Sequence, residues 1–109
     1  TLRRSASVEL CRWMHGQGYG IHAYDPAVRE LPDDLRPVME LRPSAAEALS
    51  ETDLAVVATE WPEIRQLNGQ SFVGAMRRPA VIDPNWFLAD ALADDHRVRY
   101  VTTGRDRKE

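Results

Sequence analysis

The chain has 109 residues, a formal charge of −3 at pH 7 and a single cysteine, Cys11. The lack of basic excess argues against a nucleic-acid partner held by phosphate neutralisation. No apolar run reaches the roughly 20 residues of a membrane-spanning helix, and one cysteine permits neither an intrachain disulfide nor a thiolate zinc cluster. The length is that of one domain with a modest core. A reducing, cytoplasmic setting fits the single thiol. The chain opens at Thr1 in mid-pattern, which reads as a piece of something longer.

In chain order, residues 3–18 read as a helix. Ser5 is a suitable N-cap, Val8, Cys11 and Met14 share a face, and Gly16 and Gly18 supply a stop. A strand at 21–24 is closed by Asp25-Pro26, because proline pushes the preceding residue into an extended conformation. Residues 27–43, rich in proline and charge, read as a surface connection with a short strand at 38–41. Ser44 and Glu47 match a capping box for a helix to about Glu51. The apolar run 54–58 predicts a strand covered on both faces.

Pro62 suits the first turn of a short helix, and Phe72, Val73 and Met76 mark another. Strands follow at 79–82 and 98–101, with a helical turn or two at 86–93 between them. This alternation predicts an α/β, Rossmann-like three-layer unit with a mainly parallel sheet over residues 1–104. Residues 105–109 form a polar tail. The expectation is that 21–24, 54–58, 80–82 and 98–101 share one sheet.

Three strands end in polar groups, at Asp25, at Thr59 and Glu60, and at Asp83. In an open parallel sheet such carboxyl ends share an edge where ligands bind. Each residue alone is more simply a strand terminator, since Asp and Thr are common in turns. Trp61 and Trp86 follow strand ends and offer flat faces to a base, with packing at least as good a reading. The glycines at 16, 18 and 20 follow a helix, whereas a dinucleotide loop follows a strand. Cys11 reads as a small core residue. His15, His22 and His96 lack metal-ligand spacing and read as packing or surface residues. No arrangement of nucleophile, base and acid is visible.

Six segments in order resemble the C-terminal, UDP-binding domain of the UDP-glucose/GDP-mannose dehydrogenase family. Leu2-Arg3-Arg4-Ser5-Ala6-Ser7 resembles its D-L-R-E-S-P-S, and the stretch from Gly18 to Asp25-Pro26 resembles G-x-x-V-x-x-Y-D-P. Thr52 to Trp61 resembles A-D-A-x-V-x-x-T-E-W, and Pro62 to Asn68 resembles P-E-F-R-x-L-D. Pro79 to Asp83 resembles the strand before D-G-R-N, and Tyr100 to Arg105 resembles the closing Y-x-x-x-G-R. The Thr59-Glu60-Trp61 segment is the most specific.

The resemblance implies a part of an enzyme that oxidises the C6 alcohol of a nucleotide sugar to a carboxylate in two hydride transfers. NAD would be bound by another domain and no cofactor by this chain. The catalytic cysteine would lie in a central region, so Cys11 is not the nucleophile. The implied partners are a nucleotide sugar, with UDP as the first choice, the remaining domains of the same enzyme and a second copy in a homo-oligomer. The candidate substrate-binding set is Arg3, Asp25, Thr59, Trp61, Asp83 and Trp86, with no catalytic or metal-binding residue.

Two features depart from the family. Its domain opens with a central strand, G-L-A-F-K or similar, that precedes the first matched segment and is absent here. Its D-G-R-N arginine is replaced within Asp83-Pro84-Asn85-Trp86-Phe87-Leu88. The alternative reading is therefore a non-catalytic interaction module that keeps the fold without the pocket.

Overall fold

Helix α1 (Ala6–Gly16) opens the part of the protein that the computed structural model describes, residues 6–102. Arg3 and the Ser5 cap lie outside the described residues. The helix buries Val8 and closes as expected at its glycines. Gly18 takes φ +96°, its N–H donates to the His15 carbonyl, and the Tyr19 N–H reaches back to the Met14 carbonyl. These two bonds are a Schellman cap, whose left-handed position favours glycine.

The chain divides into two compact units, one ending at Ala48 and the other beginning at Leu49. In the first unit, β1 (His22–Ala23) pairs in parallel with β2 (Glu40–Leu41), His22 against Glu40 and Ala23 against Leu41. Strand alternation then decides which side chains face inward. Ile21, Ala23, Met39 and Leu41 belong to the core around Val8, Leu31 and Leu35. His22, Glu40 and Arg42 take the opposite face. Helix α2 (Ala45–Leu49) follows. The Glu47 N–H donates to Ser44 Oγ at 3.1 Å, which is the N-cap half of the expected capping box.

In the second unit, β3 (Ala55–Val56), β4 (Ala80–Ile82) and β5 (Arg99–Val101) form a parallel sheet in that order. A 3-10 helix (Pro62–Gln66) and α3 (Gly69–Ala75) connect β3 to β4. Asn68 and Ser71 cap α3 reciprocally. Helix α4 (Ala89–Leu92) connects β4 to β5. The core comprises Leu49, Phe72, Met76, Val81, Leu88, Leu92 and Val98.

All pairings are parallel and alternate with helices, so the α/β class stands. Four expectations are corrected. The strands form two sheets rather than one, because apolar runs mark strands but not which strand neighbours which. Residues 27–43 are more than a surface connection, since Leu31, Leu35 and Met39 are buried in the first core. Their four-residue spacing puts them on one side of a tightly turned segment. Helix α4 starts at Ala89 rather than 86, because Trp86 takes a left-handed φ of +62°. The run 54–58 is also less covered than a doubly buried strand, with Leu54 and Ala58 exposed.

The start of α3 shows one close fit. A Cβ at Gly69 would overlap the Asp95 carboxylate. That carboxylate accepts bonds from Arg97 through Nη2 at 2.9 Å, Nε at 3.1 Å and the backbone N–H at 3.0 Å. These side-chain and backbone bonds, with the guanidinium charge, lower the Asp95 carboxyl from 3.8 to about 2. A carboxyl lowered by folding stabilises the fold fully above its unfolded value and loses that contribution as pH falls through the folded value. Stability attributable to Asp95 should thus fade between pH 3.8 and about 2. Urea midpoints across this range should fall less steeply for Arg97→Gln than for the parent, and equal slopes would contradict the assignment.

Candidate functional site

The carboxyl ends of β3 and β4 lead into two polar segments that are tied together. Glu60, two residues beyond Ala58, accepts a hydrogen bond from Asn85 Nδ2 at 2.6 Å. Arg65 of the 3-10 helix lies over the Phe87 ring, 4.4 Å from its centroid, a distance suited to a cation–π contact. Asp83 is fully buried. Its Oδ2 accepts from the Leu88 N–H at 2.6 Å and from the Tyr100 hydroxyl at 2.7 Å. One carboxylate thereby joins β4, the segment before α4 and β5.

Two buried polar atoms in this region, Trp61 Nε1 and Asp83 Oδ1, have no hydrogen-bond partner among the described residues. Trp61 is half-buried and Thr59 exposed. Trp86 is half-buried in its left-handed conformation, which costs a non-glycine residue about 1–2 kcal/mol. The turn that imposes it is bounded by the Asp83 and Asn85 bonds. The structure thus gathers Thr59, Trp61, Asp83 and Trp86 into the polar end of one sheet.

Asp25 belongs to the first unit, past the end of β1. Its Oδ1 accepts from the Ala27 N–H at 2.9 Å. A cleft of about 510 Å³ lies there, lined by Tyr24, Asp25, Arg29, Leu41 and Arg42 among others. His22 of β1 is placed by two contacts. Its Nδ1 is 3.0 Å from the Ala48 carbonyl, which can only accept, so Nδ1 carries the proton and donates. Nε2 is then free to accept from Arg42 Nη1 at 3.2 Å. Glu40 adds a carboxylate 3.8 Å from the same Arg42 nitrogen.

Arg29 and Arg42 were not singled out by the sequence, and His22 was read only as a packing or surface residue. The signal present was the alternation of Glu40, Leu41 and Arg42, legible once 38–41 is taken as a strand. His15 and His96 are exposed, and burial pushes the half-buried Cys11 thiol up. Among the described residues, no group of three or more metal-ligating side chains gathers, and no helix is long and apolar enough to cross a membrane.

Residues 1–90 match the profile of the UDP-glucose/GDP-mannose dehydrogenase family, UDP binding domain. The chain belongs to this family. UDP-glucose 6-dehydrogenase AglM of Haloferax volcanii is 34% identical over 82 residues, 75% of this chain and 19% of that protein. The UDP-glucose 6-dehydrogenase of Rhizobium meliloti is 29% identical over 105 residues, 95% of this chain and 24% of that protein. That of Rickettsia felis is 30% identical over 108 residues. The chain therefore spans about a quarter or less of the length of these relatives. As a UDP-binding domain of this family, it presents the polar carboxyl ends of its parallel strands where α/β sheets take ligands.

Proposed function

We propose that this chain holds the nucleotide of a nucleotide sugar, with UDP-glucose as the first choice, for an NAD-dependent 6-dehydrogenase. The observation that carries the reading is the linked edge formed by Thr59–Trp61 and Asp83–Trp86, which lies within the matched residues. Thr59 offers a hydroxyl, Trp61 and Trp86 offer ring faces, and Asp83 is the rigid base of the segment. Asp25, which belongs to the first unit, and Arg3, which lies outside the described residues, are proposed as nucleotide contacts on the resemblance alone.

NAD is assigned to another domain. The glycine turn after α1 caps a helix end and does not present a strand-to-helix phosphate loop. The dehydrogenase is proposed to work in the cytoplasm as a homo-oligomer, with the other domains of the same enzyme supplying the nucleophile.

The test is NADH formation by the full-length polypeptide carrying this chain. UDP-glucose should yield two NADH per sugar, since alcohol to carboxylate is a four-electron oxidation, and the 109-residue chain alone should yield none. NADH from the isolated chain would overturn the division of labour. Activity with no nucleotide sugar, together with no UDP binding, would favour the interaction-module reading.

A further inference from the structure

The register of the first sheet puts three polar side chains on one face. His22 of β1 stands opposite Glu40 of β2. The ladder runs on past β2, with the Glu40 N–H on the Ile21 carbonyl and the Arg42 N–H on the Ala23 carbonyl, so Glu40 and Arg42 flank the histidine. The imidazole is half-buried and fixed at one end, where Nδ1 donates to the Ala48 carbonyl of α2 at 3.0 Å. The other end, Nε2, faces two groups of opposite charge. Arg42 Nη1 lies 3.2 Å away and Glu40 Oε1 3.9 Å away. A guanidinium only donates, so the short contact to Arg42 requires a neutral ring with its lone pair on Nε2. Imidazole is the side chain that ordinarily changes charge between about pH 5 and 8. A proton on Nε2 turns that acceptor into a donor and sets two cations against each other. The Glu40 carboxylate, largely exposed and free to shift, is then the acceptor within reach. Nδ1 donates in both forms, so the ring keeps its anchor. Of the other groups near this face, β1 carries no second titratable residue, and Glu47, the only one on α2, is exposed. Tyr24 and Asp25 follow beyond the strand, where Asp25 accepts from the Ala27 N–H.

We infer that His22 is a proton-operated latch on Arg42: the neutral ring holds the guanidinium against the sheet, and the ring that has taken a proton from solvent passes its Nε2 bond to Glu40 and releases Arg42 toward the cleft that it lines. Arg42 is thus held at high pH and released as pH falls. The latch does not depend on the nucleotide reading, since every group in it belongs to the first unit.

The experiment is nuclear magnetic resonance of the nitrogen-15-labelled chain from pH 8 to pH 5. Imidazole and guanidinium nitrogens are followed together, and His22→Gln assigns the ring. At pH 8 His22 should carry its proton on Nδ1, whereas the exposed His15 and His96 should favour Nε2, as free histidine does. As pH falls, the Arg42 side-chain signals should move with the same midpoint as the His22 ring, and this movement should vanish in His22→Gln. Arg42→Met should tighten proton binding to His22 by roughly two- to fivefold and Glu40→Gln should weaken it by a similar factor, the range of part-exposed ion pairs. Circular dichroism confirms that each variant is folded. Glu40 is exposed and outside both cores, so its variant and the parent spectra keep the test decisive if Arg42→Met fails to fold. A proton on Nε2 at pH 8 overturns the latch, as does an Arg42 signal indifferent to the titration of His22. Proton binding unchanged in Glu40→Gln overturns the transfer of the bond to Glu40.

Discussion

Asp83→Ala is expected to destabilise the protein by about 3–5 kcal/mol, because hydrogen bonds to a charged group contribute about 1.5–3 kcal/mol each and their loss leaves buried donors unsatisfied. The carboxylate is fully buried and holds the Leu88 N–H and the Tyr100 hydroxyl through one oxygen. Alanine would leave the Leu88 N–H without this acceptor and remove the side-chain tie between the end of β4 and Tyr100, while the backbone pairing of β4 with β5 remains. Asp83→Asn keeps an acceptor oxygen and should lose less. Tyr100→Phe removes only one of the two bonds and should fall between asparagine and the parent or close to asparagine. Urea unfolding of the three variants checks the order. A loss below about 1 kcal/mol in Asp83→Ala, the size of an ordinary single hydrogen bond, would mean that the carboxylate does not organise the strand end.

The second large effect is expected at Leu35→Ala, with a loss of about 2–5 kcal/mol as for other leucines removed from packed interiors. Leu35 is fully buried against Val8, Leu31 and Met39. The segment that carries it has helical spacing of apolar residues but little regular structure. Its backbone is secured by turn bonds, including Leu35 N–H to the Pro32 carbonyl and Met39 N–H to the Leu35 carbonyl. Truncation leaves a cavity that these turns have little freedom to fill. Asp33→Ala, two positions away on an exposed residue, serves as the control and should change stability by less than about 0.5 kcal/mol. Similar small losses at both positions would show that residues 31–39 are the surface connection their composition suggests.

These two positions also mark how far the sequence could be read. The strand at 80–82 was legible as a short apolar run closed by Asp83-Pro84, and that at 98–101 by its β-branched and aromatic residues around Arg99. The first sheet was harder. Its strands are two residues each, and their core partners come from a segment whose prolines and charges suggest solvent. Leu31, Leu35 and Met39 repeat every four residues, but Pro32 and Pro37 interrupt the helical reading of that repeat. For the site, Asp83 and Trp61 were visible as polar or aromatic residues after buried runs. The burial of Asp83 was not, because an aspartate that terminates a strand and one that anchors three elements look alike in one dimension. Arg29 and Arg42 were hidden for a related reason, since arginine is abundant here and only pairing register shows which ones meet.

The parallel pairing has a kinetic consequence. No strand can find its neighbour through a hairpin: His22 must meet Glu40, Ala55 must meet Val81, and Ala80 must meet Arg99. Each contact requires closure of a long loop, with its entropic cost, before any sheet hydrogen bond forms. The intervening helices are too short to persist alone, since isolated helices below about 12–15 residues are marginal in water. Local structure therefore cannot accumulate ahead of tertiary structure, and the rate of acquiring the native state is governed by long-range encounters. During that search the apolar runs around β3 and β4 are exposed together, so dilution and low temperature during refolding should raise the yield by suppressing association between chains.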